Sequence, residues 1–226
     1  MNKRIIVFAP HPDDETLGCG GTIAKRKSEG FEVIIVLITD GRHIFPAKAG
    51  IDPDPPPEEV KRIRSEEFNR ATTILGVPKE NILAFDFEDG TLKKHEKEVE
   101  DRVIEILGKH SPAEMYFPFS RDSNPDHQAA NRIIKRAVRR AGLSCTKYQY
   151  SITHKYARVG PYYERFIGLL RRNTVRTDIS EFLDLKKRAI KEYKLEASIV
   201  HCEQKGALRP RIDPFQKDKE TFYIYR

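Results

Sequence analysis

Tryptophan is missing from the 226 residues, methionine occurs twice and cysteine three times. With scarce Asn and Gln and abundant Lys, Arg and Glu, this is a composition common in thermophilic proteins. Cys19, Cys145 and Cys202 lie far apart, odd in number and without a CxxC pair. That speaks against a disulfide framework and for reduced, structural thiols in a cytoplasmic protein. Long apolar runs are also absent. The run near the start, Ile5-Ile6-Val7-Phe8-Ala9, is too short for a signal-peptide core or a membrane span, so no membrane insertion is expected. No repeat, linker or low-complexity tract breaks the chain, and one domain over residues 1–226 is expected.

What the chain has in plenty is charge. The excess of 41 Lys and Arg over 34 Asp and Glu gives a net charge of +7, which admits an anionic partner such as a phosphorylated sugar, a lipid headgroup or nucleic acid. Arg132, Lys135, Arg136, Arg139 and Arg140 crowd one predicted helix, and Lys186, Lys187, Arg188, Lys191 and Lys194 another. Both groups read as solvated helix faces, and nucleic acid is not expected as a partner.

Strand-like and helix-like segments alternate from the first residues. Arg4 to Ala9 and Glu32 to Thr39 are short β-branched runs of the buried parallel type. Between them a helix runs to about Glu29 and stops at Gly30. Four prolines, at 53, 55, 56 and 57, rule out regular structure in the loop 40–57. Helical spacing then marks 58–75, a stretch around Val99 to Leu107, the segment opened by Pro125, and Leu185 to about Ile199. Further strands are expected at Ile82–Phe85, Glu114–Phe117, Ser144–Ile152 and Thr221–Tyr225, while the pattern weakens towards residue 180. The alternation predicts an α/β fold, a Rossmann-like, mostly parallel sheet of order 3-2-1-4-5 with helices on both faces. In such a sheet ligands bind beyond the carboxyl ends of strands one and four, where the strand order reverses.

Both of those strand ends carry metal-ligand chemistry. After strand one the chain reads Pro10-His11-Pro12-Asp13-Asp14-Glu15, and after strand four Asp122-Ser123-Asn124-Pro125-Asp126-His127. His11 and Asp14 stand three apart where strand becomes helix, so they can face one point. His127, in the first turn of the later helix, could supply a third ligand. Two His and one carboxylate suit catalytic zinc, with a fourth position for water. Asp13 is then the spare carboxylate, placed to act as the base that a hydrolase requires. Helix caps and first-turn charges account for Asp126 or Glu15 singly, but not for the whole constellation.

The segment Phe8 to Thr22, with His11-Pro12-Asp13-Asp14-Glu15 and Gly18-Cys19-Gly20-Gly21-Thr22, closely resembles the signature of the PIG-L (LmbE-like) deacetylases. Similar matches follow in Thr39-Asp40-Gly41; in Arg64, Glu67, Ala71, Leu75 and Gly76; in Asp89-Gly90-Thr91-Leu92; and in Asp122 with Pro125-Asp126-His127. Near the end come Asp178-Ile179-Ser180 and Lys187, Ala189, Ile190 and Tyr193. The resemblance implies a zinc-dependent hydrolase that removes an N-acetyl group from an N-acetylglucosamine-type sugar or conjugate. By it, His11, Asp14 and His127 hold Zn2+, Asp13 is the general base and acid, and Arg64 and Asp89 contact the sugar. Asn124 stands where many members have a His that helps to stabilise the oxyanion. An amide can donate a hydrogen bond there but carries no proton at neutral pH. The plain alternative is that Asn124 caps the helix opened by Pro125.

Other features fit less well. The GxGG of Gly18, Gly20 and Gly21 starts too late for a dinucleotide loop and reads as close helix packing. His43 could reach the rim of the site, whereas His95, His110, His154 and His201 show no ligand spacing. Two rival functions remain: a binding protein for nucleic acid or another anion, and a phosphoesterase, which commonly needs more carboxylates for two metals. A homo-oligomer is compatible with all three, and the loops 42–57 and 153–176 are where substrate choice is expected to lie.

Overall fold

The computed structural model describes residues 3–43, 55–152, 173–195 and 215–226. Its elements, in chain order, are β1 (Arg4–Ala9), α1 (Asp14–Ser28), β2 (Glu32–Thr39), α2 (Pro57–Ile74), β3 (Ile82–Phe87), α3 (Glu96–His110), β4 (Glu114–Pro118), α4 (Pro125–Ala141), β5 (Thr146–Tyr150), β6 (Thr174–Asp178), α5 (Leu183–Ile190) and β7 (Lys219–Tyr225). The strands form one sheet of order β3-β2-β1-β4-β5-β7-β6. The expected five-strand order is its parallel part, and β1 pairs on one side with β2 and on the other with β4. The strand order thus reverses between β1 and β4, and this places the ends of both strands side by side.

Alternation along β1 divides the core. Ile5, Val7 and Ala9 face Leu17 and Ile23 of α1 and Phe68 and Ala71 of α2. Ile6 and Phe8 face Val99 and Val103 of α3 and Ile133 and Ile134 of α4. Each face is buried under helices, which is why β1 and β2 read as unbroken apolar runs.

Two elements depart from expectation. The sheet continues beyond β5 through β7 and β6, which pair antiparallel. The strand β6 went unread because it is a half-exposed edge strand, TVRTD, with little apolar pattern to betray it. Helix α5 ends at Ile190 and turns, short of the predicted Ile199, and residues 196–199 lie outside the described set.

The basic helices also differ from solvated faces. On α4, Arg132 and Arg136 bond Glu96 of α3 at 2.8 and 2.9 Å, while Arg136 and Arg140 bond Glu100 at 2.7 and 2.8 Å. Much of the positive charge of α4 is therefore balanced by its neighbour. Lys186, on α5, is only 1% exposed. Its Nζ donates to Glu220 Oε1 (2.5 Å) and to the carbonyl of Leu17 (2.9 Å), and Glu220 accepts from the backbone N–H groups of Gly21 (2.9 Å) and Thr22 (2.8 Å). A buried ion pair thus grips the middle of α1, and only small residues there let it approach. A side chain at Gly18 would strike the Tyr150 ring and one at Gly21 would strike Ile179. The glycine motif serves packing, as its late position in the turn suggested.

Gly21→Ala is therefore expected to cost about 1–3 kcal/mol through overpacking. At roughly 2–4 °C per kcal/mol for a chain of this size, thermal unfolding should register the loss. An unchanged midpoint would mean that Ile179 yields freely.

Candidate active site

The tight passage from β1 into α1 puts His11, Asp13 and Asp14 at one strand end, and the loop after β4 puts Asp122, Asn124 and His127 at the next. Oδ2 of Asp14 is where they converge. It lies 3.3 Å from His11 Nδ1 and 3.1 Å from His127 Nε2, and the two ring nitrogens lie 3.2 Å apart. Ligand atoms about 2.0–2.1 Å from a tetrahedral zinc stand roughly 3.3 Å from each other. The triangle therefore has the dimensions and the donor types of a three-ligand metal site, and all three residues are buried.

Each histidine is held from behind. His127 Nδ1 lies 2.9 Å from Asp122 Oδ2, and Asp122, fully buried, also accepts from Ser151 Oγ (2.7 Å) and Ile152 N (3.1 Å). His11 Nε2 lies 3.1 Å from Asp89 Oδ1 and 3.5 Å from Asp126 Oδ2. Carboxylates on the far nitrogen fix ring orientation and raise ligand basicity. His11, Asp89 and Asp126 also form a second group of metal-ligand atoms. Asp126, however, accepts from Gly90 N (2.7 Å) and Leu92 N (3.3 Å), and Asp89 from His43 N (3.2 Å). These acids stitch the turn after β3 to α4 and orient His11. Sequence motifs had matched Asp122 without giving it a role. Its signal is an acid five residues before the ligand, which only the loop after β4 brings back to the ring.

Electrostatics follow the geometry. Burial opposes ionisation of Asp14, yet the two imidazoles outweigh it and hold the carboxyl well below its usual range. Burial likewise opposes the charged form of His127, but Asp14 and Asp122 hold its pKa up at about 8. For Asp89, burial is overcome by the hydrogen bond from His11, and the carboxyl falls to about 2.

Asp13 is strained, with φ 126° and ψ −28°, a backbone region that side-chain-bearing residues rarely occupy. Such a conformation costs on the order of 1–3 kcal/mol and persists only where its surroundings impose it. Arg64, on α2, is among those surroundings. It is 4% exposed, donates to the carbonyls of Pro12 (2.6 Å) and Gly41 (3.0 Å), and pairs with Asp13 Oδ2 at 3.4 Å. Gly41, at φ 66°, is obligatory here, because a Cβ would collide with the Arg64 guanidinium and with Pro12. Asp40 ties the same corner, accepting from Arg42 N (3.1 Å) and Asp89 N (3.3 Å).

Asn124 caps α4. Its Oδ1 accepts from Asp126 N at 2.8 Å and His127 N at 3.4 Å, leaving the amide N–H2 for any other partner. His43 reaches the rim through its N–H bond to Asp89, and its exposed ring pairs with Glu88 at 2.8 Å. Cys19 is a buried thiol and Cys145 a half-buried one, and Cys202, His154 and His201 lie outside the described residues, as do 44–54 and 153–172 of the two loops expected to choose the substrate. Among the described residues no helix is long and apolar enough to cross a membrane.

A buried two-histidine, one-carboxylate triangle at the switch point of a parallel sheet, with a further aspartate beside it, defines the class: an α/β protein with a site that could hold a metal ion. The chain belongs to the PIG-L family, described as GlcNAc-PI de-N-acetylase, whose family model matches residues 6–138. It is 31% identical over 198 residues to the diacetylchitobiose deacetylase of Thermococcus kodakarensis, covering 84% of this chain and 69% of that one. It is 28% identical over 150 residues to a probable N-acetyl-alpha-D-glucosaminyl L-malate deacetylase 2 of Bacillus cereus, covering 62% of this chain and 63% of the relative. The structure of N,N'-diacetylchitobiose deacetylase from Pyrococcus horikoshii, complexed with its inhibitor MPG, superposes with a TM-score of 0.69 at 23% identity, covering 99% of this chain and 84% of that one. These relatives are deacetylases, hydrolases of N-acetyl amide bonds.

Two outcomes test the site. Purified protein is expected to bind about one divalent metal per chain, and His127→Ala to lose most of it by elemental analysis. Metal competes with a proton for His127, so affinity should rise as pH climbs towards about 8. Unchanged metal content in the variant would remove His127 from the ligand set. Separately, Asn124→Ala should cost about 1 kcal/mol, the usual worth of a cap, and Asn124→Ser should restore it in thermal unfolding.

Proposed function

We propose that this protein is a zinc-dependent N-deacetylase, one catalytic domain over residues 1–226. It would hydrolyse the acetamide of an N-acetylglucosamine-type sugar or conjugate to acetate and a free amine. The observation that carries this reading is the convergence of His11, Asp14 and His127 with Asp13 held alongside, in a chain related to amino-sugar deacetylases. Two imidazole nitrogens and one carboxylate oxygen at tetrahedral spacing suit Zn2+. Zinc in such a site supplies Lewis acidity to a carbonyl oxygen and lowers the pKa of water at its open position to about 7.

The chain's own groups do the rest. His11 and His127 are correctly turned by Asp89 and Asp122, which take their outward N–H groups. Asp13 accepts the proton of the attacking water on its carboxylate, then delivers it to the amide nitrogen as the C–N bond breaks. With its oxygen committed to the helix cap, Asn124 can offer only its amide N–H to the oxyanion of the tetrahedral intermediate. Arg64 and Asp89, the charged groups touching Asp13 and His11, are the residues we assign to the sugar. Thiols at Cys19 and Cys145 favour a cytoplasmic setting.

The test is an acetate-release screen over GlcNAc, diacetylchitobiose, UDP-GlcNAc and GlcNAc-inositol, with and without chelator. Activity on at least one, lost on chelation and restored by zinc, is expected. Asp13→Asn should retain metal and fold while losing about 10²- to 10⁴-fold in turnover, the usual worth of a general base. Silence on every acetylated sugar, or near-normal turnover in the metal-loaded variant, would sink the reading.

A further inference from the structure

We infer that Glu15 and Tyr193 are positioning residues for Asp13, clamping its main chain in the strained conformation that turns its carboxylate towards the metal site. The inference rests on the deacetylase reading only for what Asp13 does, not for how it is held.

A glutamate in the first turn of a helix is ordinarily a solvated charge attracted by the helix dipole. Glu15 is nothing of the kind, being fully buried with 0% exposure. Its Oε2 reaches back to accept the backbone N–H of Asp13 at 3.1 Å. Its Oε1 accepts from Thr16 Oγ1 and from the Tyr193 hydroxyl, each at 2.5 Å. Three donors converge on two carboxylate oxygens, so the side chain has one orientation open to it.

What that orientation holds is the strained residue. Asp13 precedes α1 as its N-cap yet makes no side-chain cap, and its carboxylate meets Arg64 instead. Its carbonyl is fixed by Thr16 N (3.0 Å) and Leu17 N (2.8 Å), and its N–H is fixed by Glu15. Removing the Glu15 acceptor frees one end of the peptide to rotate out of the positive-φ region. Tyr193 follows α5 and is buried, so the brace on Glu15 comes from an element far away in sequence. Helix α5 is itself locked to α1 through Lys186. The turn carrying Asp13 is thus pinned on one side by Arg64 from α2 and on the other by Tyr193 through Glu15.

Glu15→Leu, close in volume but without an acceptor, is the decisive change. In zinc-loaded protein, kcat should fall roughly 10- to 100-fold at nearly unchanged KM, since an ångström of misplacement is worth about that much. Metal content should stay near one per chain. A crystal structure of the variant should show Asp13 out of the positive-φ region, a readout that holds even if no acetylated sugar proves to be a substrate. Glu15→Gln, which keeps an oxygen for the Asp13 N–H, should restore the backbone and most of the rate. Should Glu15→Leu fail to fold, Tyr193→Phe decides, with an expected loss of roughly 3- to 10-fold in kcat alone. The inference is overturned if Asp13 keeps its conformation and kcat stays intact in a folded variant lacking the Glu15 acceptor or the Tyr193 hydroxyl. It is equally overturned if the losses come only as reduced metal content or thermal stability.

Discussion

One buried oxygen, Asp14 Oδ2, sets the terms for everything around it. Besides facing His11 Nδ1 and His127 Nε2, it accepts the backbone N–H of His11 at 2.9 Å. It therefore locks the turn from β1 into α1 at the same point where it draws in the helix after β4. A carboxylate removed from water is tolerable only when its charge is matched. The two imidazoles do this, and a divalent cation would do it more strongly, so metal binding and turn geometry answer the same electrostatic demand.

The surroundings show how far that demand spreads. Asp122 and Asp89 each turn a ring, and Asp126 and Asp40 in turn hold the turn that carries Asp89. Arg64 brings a buried positive charge against Asp13, and Glu15 brings a buried negative one to its main chain. Among the described residues no buried side-chain nitrogen or oxygen lacks a hydrogen-bond partner. A network this complete is rigid, because moving one member strands another. Rigidity is what a site must have if it is to keep a base and a metal in register.

Away from the site, charge does humbler work. The arginines of α4 answer the acids of α3 across a half-exposed seam, where water screens each pair and leaves it little weight in stability. The net charge of +7 therefore overstates how much of the surface is free to attract an anion. Lys186 is the opposite case, buried with Glu220 against the glycines of α1, and it shows that a run of lysines on a helix need not all face water.

Much of this was legible in the sequence because local rules carried it. Apolar runs, proline and glycine stops marked β1, β2 and α4 within a residue or two, and their alternation implied the switch point before any side chain was placed. His11, Asp14 and His127 stood out because imidazole and carboxylate donors seldom crowd two adjacent strand ends unless they share a metal. What remained hidden depended on contacts between segments distant in the chain. The edge strand β6 lacked an apolar pattern, since only β7 supports it. Asn124 could be read as a catalytic donor or a cap, and only the position of Oδ1 over the first turn of α4 committed its oxygen. The backbone strain at Asp13, the Lys186–Glu220 clamp and the brace from Tyr193 to Glu15 join residues up to 178 positions apart. Sequence by itself determined which residues could bind a metal and which strand ends would bear them, because periodicity and donor chemistry are local. Tertiary structure alone decided how those residues are aimed and held, because orientation is set by partners that meet only when the sheet has formed.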